Sequence, residues 1–345
     1  MPRTYRYGWL LLCLTHFAAA AEPDRPTLGW MQTVLVRWEQ TCRRHLNLPP
    51  EPLPWIVFYD DRHAWHVNPE SKMLPERRRL SASLRFAGRR YPLFELETTS
   101  GLWLPDGEVL PVKAEGVTKP YAQHQKVYAQ MALPALWWKE HGQDSIPVEH
   151  LYSEALHELT HTRQMTSAMQ QITVLQARYH FPNGLDDDII ERTFGGNDEY
   201  RKLYEQEKAQ LMQAVMAPDL ESCRRAVAIM LETVTKRQQR FFRGEHDGWA
   251  AIEGVFLALE GSAVWVQAQM ALDHAPARQD WKQTLTSLAP FYALWSQEEG
   301  GGLFFVIDRL VPDWQARYFG SEMPSPFDVL RAAVGKPDSE NPRVK

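Results

Sequence analysis

The stretch WAAIEGVFLALEGSAVWVQAQMAL, residues 249–272, is a long apolar run with no basic residue, and its reading decides what kind of protein this is. It is long enough to cross a bilayer, which takes about 20 residues. Glu253, Glu260, Gln267 and Gln269 argue against a span, because each is expensive in hydrocarbon. A helix inside a soluble core can carry such groups when they find partners. The stretch therefore reads as a core helix.

Outward from it, the chain from about residue 146 reads as helices. Pro147 suits a first helical turn, and apolar residues recur at three and four to about Gln176. Further helices are predicted at 198–216, 219–242, 249–271, 279–296, 303–310 and 326–334, separated by short Pro, Gly and Asp clusters. The N-terminal part differs. After a helical pattern from Leu28 to Cys42, PWIVFYDD (54–61) is β-rich, and YPLFELETTSGLWLPDGEVLPV (91–112) alternates around a turn at Pro105-Asp106-Gly107. VYAQMALPALWWKE (127–140) contains Pro134 and reads as an edge strand or a covered loop. The fold class is thus α+β, with a small sheet region over 22–145, a mainly helical region over 146–335 and a polar tail at 336–345.

Composition excludes some functions. Apolar residues are 44% and charged residues 23%, the balance of a globular protein, and a net charge of -5 leaves no footprint for nucleic acid. Arg77-Arg78-Arg79 is too short to change that and reads as a solvated loop. At the start, Arg3 and Arg6 precede GWLLLCLTHFAAAA, and Ala19-Ala20-Ala21 provides small residues for cleavage. Residues 1–21 therefore read as an export signal, and the mature chain as periplasmic or secreted, with no transmembrane span after cleavage. Cys42 and Cys223 then remain, either as one disulfide or as two buried thiols.

Chemistry concentrates at LHELTH, residues 156–161. On a helix, His157 and His161 project from one face a turn apart, the spacing for two imidazoles on one metal ion. Glu158 is displaced around the helix, placed to reach a water rather than to bind the metal. With 12 His and 26 Glu in 345 residues, random placement would give roughly 0.03 such motifs, so chance is a poor account of it. A catalytic zinc site takes three protein ligands and an open position. Glu253 and Glu260, seven apart on one helical face, are the candidates for the third, since paired acids on an apolar helix require something cationic opposite.

HELTH followed at a distance by LEGSAVW resembles the gluzincin metallopeptidases, in which HExxH supplies two ligands and a glutamate on a later helix the third. The resemblance covers 146–335 as an arrangement and only those two stretches as sequence. It implies a zincin-like catalytic region binding Zn2+ through His157, His161 and Glu260, with Glu158 as general base and a peptide or protein as substrate. It departs from the family pattern in the separation of 99 positions from His161 to Glu260, and in Val264, where an acid often orients a histidine. Glu253 or Glu154 is the alternative support there. Where exopeptidases of this kind show a tyrosine, this chain has Gln297, Glu298 or Glu299, with Tyr292 farther back as an oxyanion stabiliser. The rival expectation is an exported binding or structural protein that retains the fold without turnover.

Three lesser clusters read as structural. His63 and His66 are taken as surface histidines, Asp186-Asp187-Asp188 as a solvated helix start, and Gly300-Gly301-Gly302 lacks the strand and Lys-Ser/Thr of a phosphate loop.

Overall fold

Every residue of strand β1, Trp55–Tyr59, is buried, so this strand must lie in a sheet covered on both faces. A computed structural model describes residues 24–70, 72–122, 125–142, 146–182, 184–274 and 294–335. The export-signal reading (1–21), Tyr292, most of the helix expected at 279–296 and the 336–345 tail lie outside the described residues. The protein is α+β, with a sheet built first and helices after it.

The six-stranded sheet runs β3-β4-β2-β1-β8-β7, from β2 (His63–Val67), β3 (Arg79–Phe86), β4 (Arg89–Glu97), β7 (Gly116–Tyr121) and β8 (Lys126–Ala132). Only β1 and β8 pair in parallel. Ile56 and Phe58 face the main core with helix α1 (Arg25–Thr41), while Trp55, Val57 and Tyr59 face a smaller core with Leu102, Leu104 and Leu136. Leu102 belongs to β5 (Leu102–Trp103), which pairs with β6 (Val109–Leu110) across the expected turn.

Residues 126–132 are neither an edge strand nor a loop: β8 lies between β1 and β7. Pro134 comes after the strand and opens helix α2, Pro134–His141, where a missing N–H costs nothing. His63 and His66, three apart on a strand, fall on opposite faces. His66 is fully buried and accepts a hydrogen bond from Trp55 Nε1 at 3.1 Å, and burial pushes its pKa down to about 3.

The helices are α3 (Val148–His161), α4 (Met165–Arg178), α5 (Ile189–Phe194), α6 (Asp198–Met216), α7 (Leu220–Phe241), α8 (Trp249–His274), α9 (Trp295–Leu310), α10 (Trp314–Tyr318) and α11 (Pro326–Val334). The single helix expected from 146 to 176 is broken after His161. The Thr162 hydroxyl donates to the Leu159 carbonyl at 2.6 Å, and the buried Gln164 amide donates to Ser262 Oγ at 2.9 Å. A side chain that serves the backbone in this way competes with the helix ladder.

Helix α8 passes the length and composition test for a membrane span but is largely buried within the protein. It crosses α9 at van der Waals contact of backbones. A Cβ on Gly261 would lie 2.4 Å from the Gly300 carbonyl oxygen, and one on Gly301 2.4 Å from Val264 Cγ1. The glycine run is thus a helix crossing, and only residues without side chains permit it. Cys42 and Cys223 are buried and free, so the disulfide alternative is not realised.

Candidate metal centre

Helix α3 buries His157, Glu158 and His161 together at its C-terminal end, packed against α8 and the edge strand β7. The two imidazoles stand perpendicular, at 87°, and bring their Nε2 atoms to 2.9 Å. From α8, Glu260 Oε2 lies 3.3 Å from His157 Nε2 and Oε1 lies 3.2 Å from His161 Nε2. Ligands held about 2.0–2.1 Å from a tetrahedral zinc are separated by roughly 3.3 Å. Two imidazole nitrogens and a carboxylate at these spacings therefore fit that ion, and among the described residues this is the one group of its kind.

The three groups also act on one another electrostatically. Burial acts to lower the His157 pKa, but the hydrogen bond and charge of Glu260 outweigh it and raise it to about 10. Glu260 feels the opposite balance. Burial acts to raise its carboxyl, yet His161 and His157 hold it well below the carboxylate range. Glu158 is raised, first by burial and then by Glu154, against the two histidines that lower it.

Glu158 is buried beneath strand β7. A Cβ on Gly116 would sit 3.2 Å from Glu158 Cγ, and Thr118 Oγ1 donates to the Glu158 carbonyl at 2.7 Å. The strand therefore fixes the last turn of α3, and it is the terminal strand of the described sheet.

The other sequence candidates are placed apart from the triad or at its margin. Glu154 accepts from Gln267 Nε2 at 3.1 Å and acts on His157 through its charge. Nδ1 of His157 and of His161 has no hydrogen-bond partner among the described residues, so the rings are oriented by packing. Gln297 donates to Glu260 Oε2 at 3.2 Å and is the residue that steadies the carboxylate. Glu298 instead pairs with Lys208.

Glu253 has its own cation. Arg237, fully buried on α7, donates to Glu253 Oε1 at 2.6 Å, to both oxygens of Glu207 at 2.7 and 3.0 Å, and to Tyr200 OH at 2.6 Å. Burial, and then Glu207, push the nearby Glu299 carboxyl well above its ordinary range. Arg237 was legible in hindsight, since it continues the buried stripe Val227, Met230, Leu231, Val234. Breaking a buried pair leaves an uncompensated charge, at about 3–5 kcal/mol. Glu253→Ala is accordingly expected to lower stability toward the lower end of that range, because Glu207 still holds Arg237. Its metal content should match wild type, and denaturant melts with zinc analysis check both.

Asp187 was also missed. Asp186 and Asp188 grip Arg192 at the head of α5, but Asp187 is half-buried and its carboxyl is raised to about 6, by burial and then by Glu260. The acidic run is therefore not uniformly solvated. Comparison with protein families, curated proteins and solved structures finds no match.

Proposed function

We propose that this chain is a zinc-dependent hydrolase of amide bonds, a peptidase of gluzincin type acting outside the cytoplasm. The observation that carries the proposal is the convergence of His157, His161 and Glu260 with Glu158 buried next to them. A zinc ion held by those three side chains supplies Lewis acidity to a carbonyl and lowers the pKa of water. Glu158 takes the proton as water oxygen bonds to the carbonyl carbon, then delivers it to the amine as the C–N bond breaks.

Peptide as the substrate class is supported by β7. Its outer edge pairs with no strand among the described residues, and an extended chain can add to such an edge through main-chain hydrogen bonds. Gly116 at its start lets the strand pack closely on Glu158, whose Cγ would lie 3.2 Å from an added Cβ. The basic, apolar and small-residue pattern of residues 1–21 supports delivery across a membrane.

The test is zinc analysis of the purified protein together with a peptide-library assay. Stoichiometric zinc and cleavage that a chelator abolishes and zinc restores are expected. Zinc without turnover on any peptide would instead identify a binding module, and protein that takes up no zinc would end the metal reading.

A further inference from the structure

The β3–β4 hairpin carries charge that the rest of the protein does not neutralise. Residues 72–90 contain Lys72, Arg77, Arg78, Arg79, Arg85, Arg89 and Arg90 against the single acid Glu76, in a chain whose net charge is -5. Some of these have partners: Arg79 lies 3.7 Å from Glu97 and Arg89 3.3 Å from Glu51. Arg85 and Arg90 are different. They are exposed, sit directly opposite one another across the strands, and have no ion-pair partner among the described residues. Like charges in register across a sheet destabilise it.

Protection of a sheet edge does not explain them. The edge of β3 at this point is already closed, because the Gln32 amide of α1 accepts from Arg85 N and donates to Arg85 O, both at 2.8 Å. Next along the chain, Ala87 N donates to Glu39. With the backbone satisfied, charged side chains are not needed to repel a further strand.

The same face has an apolar end. Arg90, Pro92 and Phe94 alternate along β4, and opposite them stand Arg85, Ser83 and Leu80. Leu80 is 65% exposed, and Met73 just before the hairpin is 38% exposed. A large exposed leucine at one end of this face and, at the other, two guanidinium groups with no ion-pair partner among the described residues match a surface that is anionic at its headgroups and apolar beneath them. Guanidinium forks suit phosphate oxygens, and the leucine can enter the interfacial layer.

We propose that the outer face of the β3–β4 hairpin docks on a bilayer containing anionic phospholipid, with Arg85 and Arg90 on phosphates and Leu80 inserted between headgroups. This is independent of the metal centre and applies whether or not the protein hydrolyses anything.

Sedimentation of the full chain with vesicles tests it, using phosphatidylcholine alone and phosphatidylcholine mixed with phosphatidylglycerol. Wild type is expected to bind the mixed vesicles roughly tenfold or more tightly than the neutral ones, with the preference shrinking as salt rises. Arg85→Glu with Arg90→Glu should abolish the preference, and Arg85→Lys with Arg90→Lys should keep most of it. Leu80→Ser should weaken binding to mixed vesicles severalfold. Arg201→Glu with Arg225→Glu makes the same charge change on exposed helical surface and should leave binding intact. Any affinity of the apolar N-terminal run for lipid is common to all variants. The proposal is overturned if wild type shows no preference for anionic vesicles, if the Arg85/Arg90 reversal keeps it, or if the helical control loses as much. Capture on polyphosphate with no vesicle preference would also overturn it.

Discussion

Glu158→Gln is expected to keep zinc and fold while losing hydrolysis by on the order of 10²–10⁴-fold. The amide has the shape of the carboxylate, so the contact with Gly116 is preserved. Replacing a buried carboxylate by a neutral group also eases the desolvation that raises its pKa, so no loss of stability is expected. What the amide cannot do is accept the proton of the attacking water. kcat/KM on a cleaved peptide, zinc content and a thermal melt together read the outcome. Near wild-type kcat/KM would show that the proton goes elsewhere and that Glu158 is not the base.

Glu260→Ala should strip the metal. The carboxylate presents one oxygen to each histidine, and its removal leaves two imidazoles on one helix turn as the only protein ligands. A zinc site with two ligands falls below the three that catalytic centres supply. The affinity loss should exceed the 10- to 100-fold typical of supporting residues, the range expected for Gln297→Ala, whose side chain steadies Glu260 without joining it. Competition with a metal-binding dye measures both variants. Should Glu260→Ala bind zinc as tightly as Gln297→Ala, the carboxylate is not a ligand.

The parts of this molecule that rest on local periodicity were readable before any coordinates. Helices at 198–216 and 326–334 occur with those bounds, and the strands around 54–61 and 91–112 lie where β-branched and alternating residues put them. The paired histidines converge because four-residue spacing on a helix leaves little choice.

The failures share a cause: each depends on a partner distant in sequence. Pro134 looked like an obstacle to an interior strand because the strand's end, at Ala132, is set by where β1 stops. The break after His161 depends on Ser262, about a hundred residues away, receiving Gln164. The choice between Glu253 and Glu260 was framed as a contest for one cation, when the fold provides Arg237 for the first and histidines for the second. Gln297 lay in the slot expected for a tyrosine, but only the Gly261–Gly300 crossing brings it to Glu260.

Helix α8 carries one carboxylate whose counter-cation is built into the chain and another whose partner can come from solution. The two are seven residues apart, about 10 Å along a single rod. Arg237 meets Glu253 where α7 and α8 pack, and the glycine crossing seats α9 with Gln297 against Glu260. One helix thus serves two charge balances, a guanidinium held by the chain at Glu253 and, on the reading proposed above, an ion at Glu260. On that reading the ion is chosen by supply, because a His₂Glu donor set alone does not override metal availability.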